Sequence, residues 1–494
     1  KMLTILTTTD AILKVQKAIA SVDRLDELVG ITEDAETIDD LKTLVVASDE
    51  ITVPLDWYDL EPPYIFPATP FNRQNLLALV FYKLGNHQKA FEFVSEEHPL
   101  YHHLLIATHL QFGYEISPDM VDFCYNTSPH NSAVLSYYGV VENPKNNEGL
   151  KKEFSEALSK AENDEVKVFT AKHYLNLLLD SGELQEEKQL AQEQFEIAIS
   201  EDAKNAMNTH LAGILMAQLQ VPYDSQMLEE VHELQLKAIA QFEAKDLKIQ
   251  AGMLLVDATE IANFKGDFVA SKELINRAIQ YFKEEDIPEF LGEAGFKKAI
   301  LLYTWSKNGS PQYYKAAINA FQDVLKVFKR DTHPQKFADV HHNLALIYSE
   351  IPVGADEKPM WTAFCASSFK EVLAFYTKDK YPYENAMASH NYATALMHFP
   401  PAKIHDNLEK AAGLFEEALE VRTAEAYPFE RALTLMNQLE LGWLTHNETS
   451  EEELKKYEEM KEKAEEVKTL VTDAGILEQA EKHLQELEKV KSLI

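Results

Sequence analysis

The chain has little glycine, 16 residues in 494, less than half the usual share of about 7%. A strand-and-turn fold needs glycine at its turns, so this scarcity argues against one. No sustained apolar–polar alternation ends in a hairpin turn either. Cysteine is scarcer still. Cys124 and Cys365 are the two present, too few for a disulfide framework, and a reducing cytoplasm is the expected setting. Basic residues are outnumbered, 47 Lys and Arg against 81 acids, for a net charge of −34. Nucleic-acid binding depends on Lys and Arg neutralising phosphates, so no nucleic-acid partner is expected. An anionic membrane surface would repel the chain as well. Most of this charge reads as solvated helix exteriors, with a basic partner as the sharper alternative. No run approaches the 18 apolar residues of a membrane span. No signal peptide is read at the start, although Lys1 before Met2 leaves a removed leader open.

Motifs that carry chemistry are missing too. There is no Gly-rich phosphate loop, HExxH, CxxC or GxSxG. Acidic pairs are so frequent that none stands out as an acid/base couple. His102, His103 and Cys124 match no metal-site spacing. The expectation is a protein that is not an enzyme, with no cofactor and no metal.

What is present is a repeat. Ala317, Phe321, Val324, Pro334 and Asn343 set five marks. They recur as Cys365, Phe369, Val372, Pro382 and Asn391, and again as Ala411, Phe415, Ala418, Pro428 and Asn437. Upstream, Ser271, Ile275, Ala278 and Pro288 fit, with Lys297 in the Asn place. From proline to proline the period is 46, 48 and 46 residues. A fixed period of this size marks a stacked solenoid. Within a unit, Ala317, Phe321, Val324, Leu325 and Phe328 fall at helical spacing on one stripe. Pro334 then opens a second helix, where its missing N–H is harmless. Neither stripe can be buried alone, so the hairpins must stack.

The small-x3-Phe-x2-Ala helix followed by Asn-Leu-Ala-x2-Tyr resembles the tetratricopeptide repeat. Leu77, Ala78, Phe81, Gly85, Ala90 and Val94 show a shorter form, as do Leu175, Leu178, Gly182, Ala191, Phe195 and Ala198. The later units resemble a long variant of bacterial repeat proteins. The likeness covers roughly residues 70–445. It implies an all-α chain, a right-handed superhelical solenoid of antiparallel helix hairpins with helical caps.

The expected organisation is a helical cap over 1–50, with Ile12, Val15, Ile19, Val22 and Leu25 lining a first helix and Ile38, Leu41, Leu44 and Val45 a second. Residues 51–70, with Pro54, Pro62, Pro63, Pro67 and Pro70 among Trp57, Tyr58, Tyr64, Ile65 and Phe66, read as a strap. It either packs over the first hairpins or lies in the groove as a pseudo-ligand. Repeats follow over 71–225 and 226–446, with a bend near 200–225 and capping helices over 447–494. A free coiled-coil arm is the alternative for that tail.

The resemblance also implies a concave groove, lined by the residue just before the repeat Asn and its neighbours one and two helical turns away. On that mapping the groove holds His342, Leu346, Ser349, Glu350, His390, Thr394, Met397, His398, Met436, Glu440 and Trp443. They could equally be solvated or half-buried helix residues. The asparagines Asn343, Asn391 and Asn437 are expected to bond the backbone of the neighbouring hairpin. The function these readings favour is a protein–protein interaction scaffold, monomeric or weakly dimeric, with a protein or peptide partner of basic character. The alternatives are a ligand- or peptide-responsive regulator, favoured by any aromatic pocket near 200–285, and the substrate-recruiting subunit of an effector enzyme encoded elsewhere.

Overall fold

The computed structural model describes residues 2–37, 42–58, 64–113, 115–401 and 406–493. The chain divides into two compact units, Lys1–Tyr281 and Phe282–Ile494. The division falls well beyond the bend expected near 200–225.

The first unit opens with a sheet. Strands β1 (Leu3–Thr7), β2 (Val29–Thr32), β3 (Thr43–Ala47), β4 (Glu50–Thr52) and β5 (Thr69–Pro70) lie in the order β2-β1-β3-β4-β5. β1 pairs parallel to both β2 and β3, while β4 joins antiparallel. The helical cap expected over 1–50 is corrected accordingly. Its first helix forms as α1 (Ile12–Ala20), burying Val15 and Ile19. Leu44 and Val46 enter the core as alternate residues of β3, not as turns of a helix. Ile38, Leu41, Pro62 and Pro63 lie outside the described residues.

Helices follow: α2 (Leu25–Leu28), α3 (Arg73–Lys83), α4 (His87–Glu92), α5 (Pro99–Phe112), α6 (Pro118–Tyr125), α7 (Pro129–Tyr137), α8 (Asn147–Ser159), α9 (Asp164–Asp180), α10 (Leu184–Ile197), α11 (Glu201–Ala217), α12 (Ser225–Ala244), α13 (Lys248–Phe264) and α14 (Phe268–Glu284). Side chains that accept a backbone N–H start many of them: Asn72, Asn86, Ser128, Asn146, Asn163, Ser200 and Asp224. Each satisfies one of the donors that a helix start leaves orphaned. Gly182, at φ 71°, makes the turn from α9 to α10 in a conformation that favours glycine.

The second unit holds α15 (Pro288–Lys307), α16 (Tyr314–Val327), α17 (Pro334–Glu350), α18 (Lys358–Phe375), α19 (Pro382–Met397), α20 (Asn407–Val421), α21 (Pro428–Leu444), α22 (Ser450–Leu470) and α23 (Ala474–Lys491). Each repeat proline occupies the first turn of its helix. Phe321, Phe369 and Phe415 are fully buried, as are Ala317, Cys365 and Ala411 at the small mark. The small mark lets the helices approach, and the Phe fills the space between them. Gly292 shows how close the approach is. A Cβ there would lie 2.6 Å from the Phe328 ring. Consecutive helices pack against one another, and the second helix of a pair also touches the second helix of the next, α17 on α19 and α19 on α21. The second unit is thus an all-helical array of paired helices, each pair stacked on the next. At its C-terminal end, α22 and α23 bury Tyr457, Met460, Val467 and Leu487 against Leu435 and Leu439 of α21.

Candidate functional site

The repeat histidines lie between successive second helices. His342 Nε2 accepts from Asn391 Nδ2 at 3.0 Å, joining α17 to α19. His390 Nε2 accepts from Asn437 Nδ2 at 3.2 Å, joining α19 to α21. The same amide nitrogen donates to Thr394 Oγ1 at 2.8 Å. An Nε2 that accepts leaves the proton on Nδ1. His390 Nδ1–H donates to Thr434 Oγ1 at 3.0 Å, which also accepts from Arg422 Nη1 at 3.0 Å and donates to the Glu430 carbonyl at 3.1 Å. The rings stand near edge-on to Phe369 and Phe415. Burial pushes both histidines down to about 4, and Arg422 adds to the effect at His390. They are neutral, interlocked groups.

This corrects the expected role of the asparagines. Asn391 and Asn437 reach back to a side chain of the preceding unit, not to its backbone. Asn343 bonds the Asp339 carbonyl of its own helix at 2.9 Å. The preceding unit carries Phe296 where the histidine would stand, so Asn343 has no ring nitrogen to reach.

The other expected groove residues divide by exposure. Glu350, His398 and Glu440 are exposed. Glu350 accepts from Tyr303 Oη of α15 at 2.7 Å. Ser349 and Thr394 donate to carbonyls of their own helices, Leu346 and His390 respectively. Leu346 and Met397 are half-buried against the unit's core, and Met436 is buried beneath α22 and α23. Trp443 is not the open ring that cation–π contact with a ligand requires. Its Nε1–H donates to His483 Nδ1 of α23 at 3.0 Å, and the two rings stack at 11°. His483 Nε2 in turn lies 3.3 Å from Glu440 Oε1.

In the first unit the corresponding polar side chains hold the strap. Asn131 of α7 grips the Ile65 peptide at both ends. Its Oδ1 accepts from the Ile65 N–H at 3.0 Å, and its Nδ2 donates to the Ile65 carbonyl at 2.9 Å. Tyr64 Oη meets His103 Nδ1 of α5 at 2.7 Å. Lys172 Nζ of α9 donates to the Trp57 carbonyl at 2.5 Å. The Trp57 ring sits edge-on to Phe169 at 5.1 Å, and Tyr58 Oη donates to Asp202 of α11. Beside Trp57 and Tyr58 is a cavity of about 230 Å³, bordered by α9, α11, Phe242 and Gln250. Trp57, Tyr58, Tyr64, Ile65 and Phe66 signalled the strap in the sequence, whereas His103, Asn131, Lys172 and Asp202, which hold it, carried no sequence signal.

Among the described residues, no group of three or more His, Cys, Asp and Glu could hold a metal ion. No described helix is long and apolar enough to cross a membrane. No family model matches the sequence, and no curated protein matches it. Solved structures do resemble it. Naa15/Naa10 bound to HypK is 13% identical, with 85% of this chain and 76% of that one covered and a TM-score of 0.38. A monomeric IFIT1 mutant with m7Gppp-AAAA is 14% identical, covering 85% and 80%, with a TM-score of 0.35. Yeast Tom70 is 14% identical, covering 85% and 95%, with a TM-score of 0.17.

Proposed function

We propose that this chain is a non-enzymatic interaction scaffold whose second-helix faces hold an extended polypeptide. The observation that carries the reading is the two-point grip of Asn131 on the Ile65 peptide. Hydrogen bonds to main-chain groups are how an extended peptide is held whatever its side chains, and pockets for alternate side chains add selectivity. Trp57, Tyr58 and Tyr64 are the side chains buried here. In the second unit the partner meets the exposed edge of Glu350, His398 and Glu440, with Leu346, Ser349, Thr394 and Met397 beside it, while Met436 and Trp443 are covered by α22 and α23. Two carboxylates at that edge and a net charge of −34 favour a partner with Lys or Arg, chiefly through faster association. The scaffold acts as a monomer or weak dimer, and two buried, unpaired thiols suit a reducing cytoplasm.

Panning a displayed peptide library against the chain, followed by hydrogen exchange with the selected peptide, tests this. Protection should fall on α17, α19 and α21, and His398→Ala with Glu350→Ala should weaken binding while Glu417→Ala does not. Protection confined to α16, α18 and α20 would overturn it.

A second reading, a ligand-responsive regulator, draws on the cavity beside Trp57 and Tyr58. A recruiting subunit for a separate enzyme would use the same faces.

A further inference from the structure

We propose that the cavity of the first unit binds a small, uncharged, planar heterocycle that presents a lactam or carboxamide edge. The inference rests on the ligand-responsive reading and gives it a ligand class.

The cavity's size sets the first limit. About 230 Å³ is far more than the ~10–15 Å³ that admits one water, yet below the ~300–1,000 Å³ of sites for drug-sized ligands. One or two small rings fit. The walls set the second. Trp57, Tyr58, Tyr138 and Phe242 line it, and aromatic faces favour a flat ligand.

The polar groups set the third. His173 is 3% exposed, lines the cavity, and has no hydrogen-bond partner at either ring nitrogen. A neutral imidazole offers one donor and one acceptor. Buried polar groups are ordinarily paired, so two orphaned atoms on one ring need an explanation. Asn176 of α9, Asn205 of α11 and Gln250 of α13 line the same cavity. Primary amides and an imidazole together complement adjacent donor and acceptor atoms, which is what a lactam or carboxamide presents.

The charges set the fourth. Asp202 is engaged by Tyr58 Oη and by Gln241 Nε2 at 3.1 Å, with Lys245 Nζ at 3.8 Å. Lys172 donates to the Trp57 carbonyl, and His210 faces Glu187 at 3.6 Å. The carboxylate at the wall is already met by an ammonium and two donors, and the Lys172 ammonium is held on a carbonyl, so an ionised ligand would be desolvated without a dedicated partner. The ligand is uncharged.

Titration with uracil and with nicotinamide tests this. Trp57 is the sole tryptophan of the first unit, so the fluorescence change lost in Trp57→Phe reports this site alone. We expect at least one probe to bind and raise the melting temperature. His173→Phe should weaken it tenfold or more, and Asn176→Ala several-fold. Asn176 is only half-buried, so that variant keeps the test alive if His173→Phe does not fold. Uridine separates the sources: binding as tight as uracil's means a base carried on ribose, weaker binding a free heterocycle, and both support the class. The proposal is overturned if neither probe binds up to about 10 mM, past the range of weak complexes. It is equally overturned if toluene or benzoate binds as tightly, or if both variants leave affinity unchanged. Peptide binding that persists alongside any of these failures would leave the scaffold reading standing.

Discussion

Both units place polar side chains along one set of alternate helices, α5, α7, α9 and α11 in the first and α17, α19 and α21 in the second, yet use them differently. In the second unit these groups turn on each other: His342 with Asn391, His390 with Asn437. In the first unit His103, Asn131, Lys172 and Asp202 turn on the strap. The difference is one of supply. The first unit has an extended segment of its own chain to satisfy these groups, and they bond its peptides and hydroxyls. Among the described residues the second has none at that place, and its buried polar groups pair across the helices. A polar row on a repeat protein is therefore a set of demands, and what lies nearby decides how they are met.

The largest expected break comes from the second unit's core. Phe369 is fully buried and stacks on Tyr392 at 4.8 Å. Phe369→Ala should cost about 3–5 kcal/mol, the range for a deleted core phenylalanine. In a repeat array coupling runs mainly between neighbours, so exchange should rise over α17 to α20 and stay unchanged over β1 to α9. A rise spread evenly over both units would refute nearest-neighbour coupling.

Acid sharpens the contrast next. His342 and His390 are held down to about 4 by burial, against about 6.5 for a free imidazole. The unfolded chain therefore takes up protons first as pH falls. Their contribution is whole above about pH 6.5 and is lost progressively as pH drops toward 4. At this spacing each is worth roughly 3 kcal/mol. A proton arriving on Nε2 would also face the Asn amide donor. Replacing both histidines with Gln should flatten the second unit's pH dependence. The first unit should keep its own, because burial lowers His103 to about 4 and holds His173 well below the ordinary imidazole value. Denaturant melts followed by exchange at pH 7, 5.5 and 4.5 would measure this, and an unchanged slope in the double variant would remove the histidines from the explanation.

The strap gives a smaller, local effect. Asn131→Ala leaves the Ile65 N–H and carbonyl without their partner, at about 1–3 kcal/mol. Limited proteolysis should then cut near residues 64–66 while the second unit resists as before. Unchanged protection there would mean that the aromatic anchors alone hold the segment.

How far these arrangements could be read beforehand differs along the chain. Phe321, Phe369 and Phe415 and the helix-opening prolines announced themselves by recurrence, because each does the same packing task in each unit. The opening sheet did not. Thr43–Ala47 is five residues long, and so short an apolar run fits a buried strand or a helical stripe equally well. Its β-branched Thr43, Val45 and Val46 were the available hint. The polar row was harder again. His342 and Asn391 sit 49 residues apart, and each was visible as a repeat position. That one bonds the other depends on the registry of two helices from different units, which no periodicity within a unit contains.

The C-terminal end offers the finest test, because there α23 covers the row much as the strap covers it in the first unit. Trp443 donates to His483 Nδ1, and His483 Nε2 faces Glu440. The Trp443–His483 contact is half-buried, whereas the Glu440 side chain is 62% exposed. Water screens an ion pair or hydrogen bond at such a site, and exposed pairs contribute about 0–1 kcal/mol. Glu440→Gln should therefore shift stability by less than about 1 kcal/mol, with the shift shrinking as salt rises. Trp443→Phe should cost more, since it strands a buried acceptor on His483. Urea melts of both variants at low and high salt would order them. If Glu440→Gln proves the more damaging, the carboxylate and not the indole anchors α23, and this end of the row is held by charge instead of by the packed rings that hold the strap.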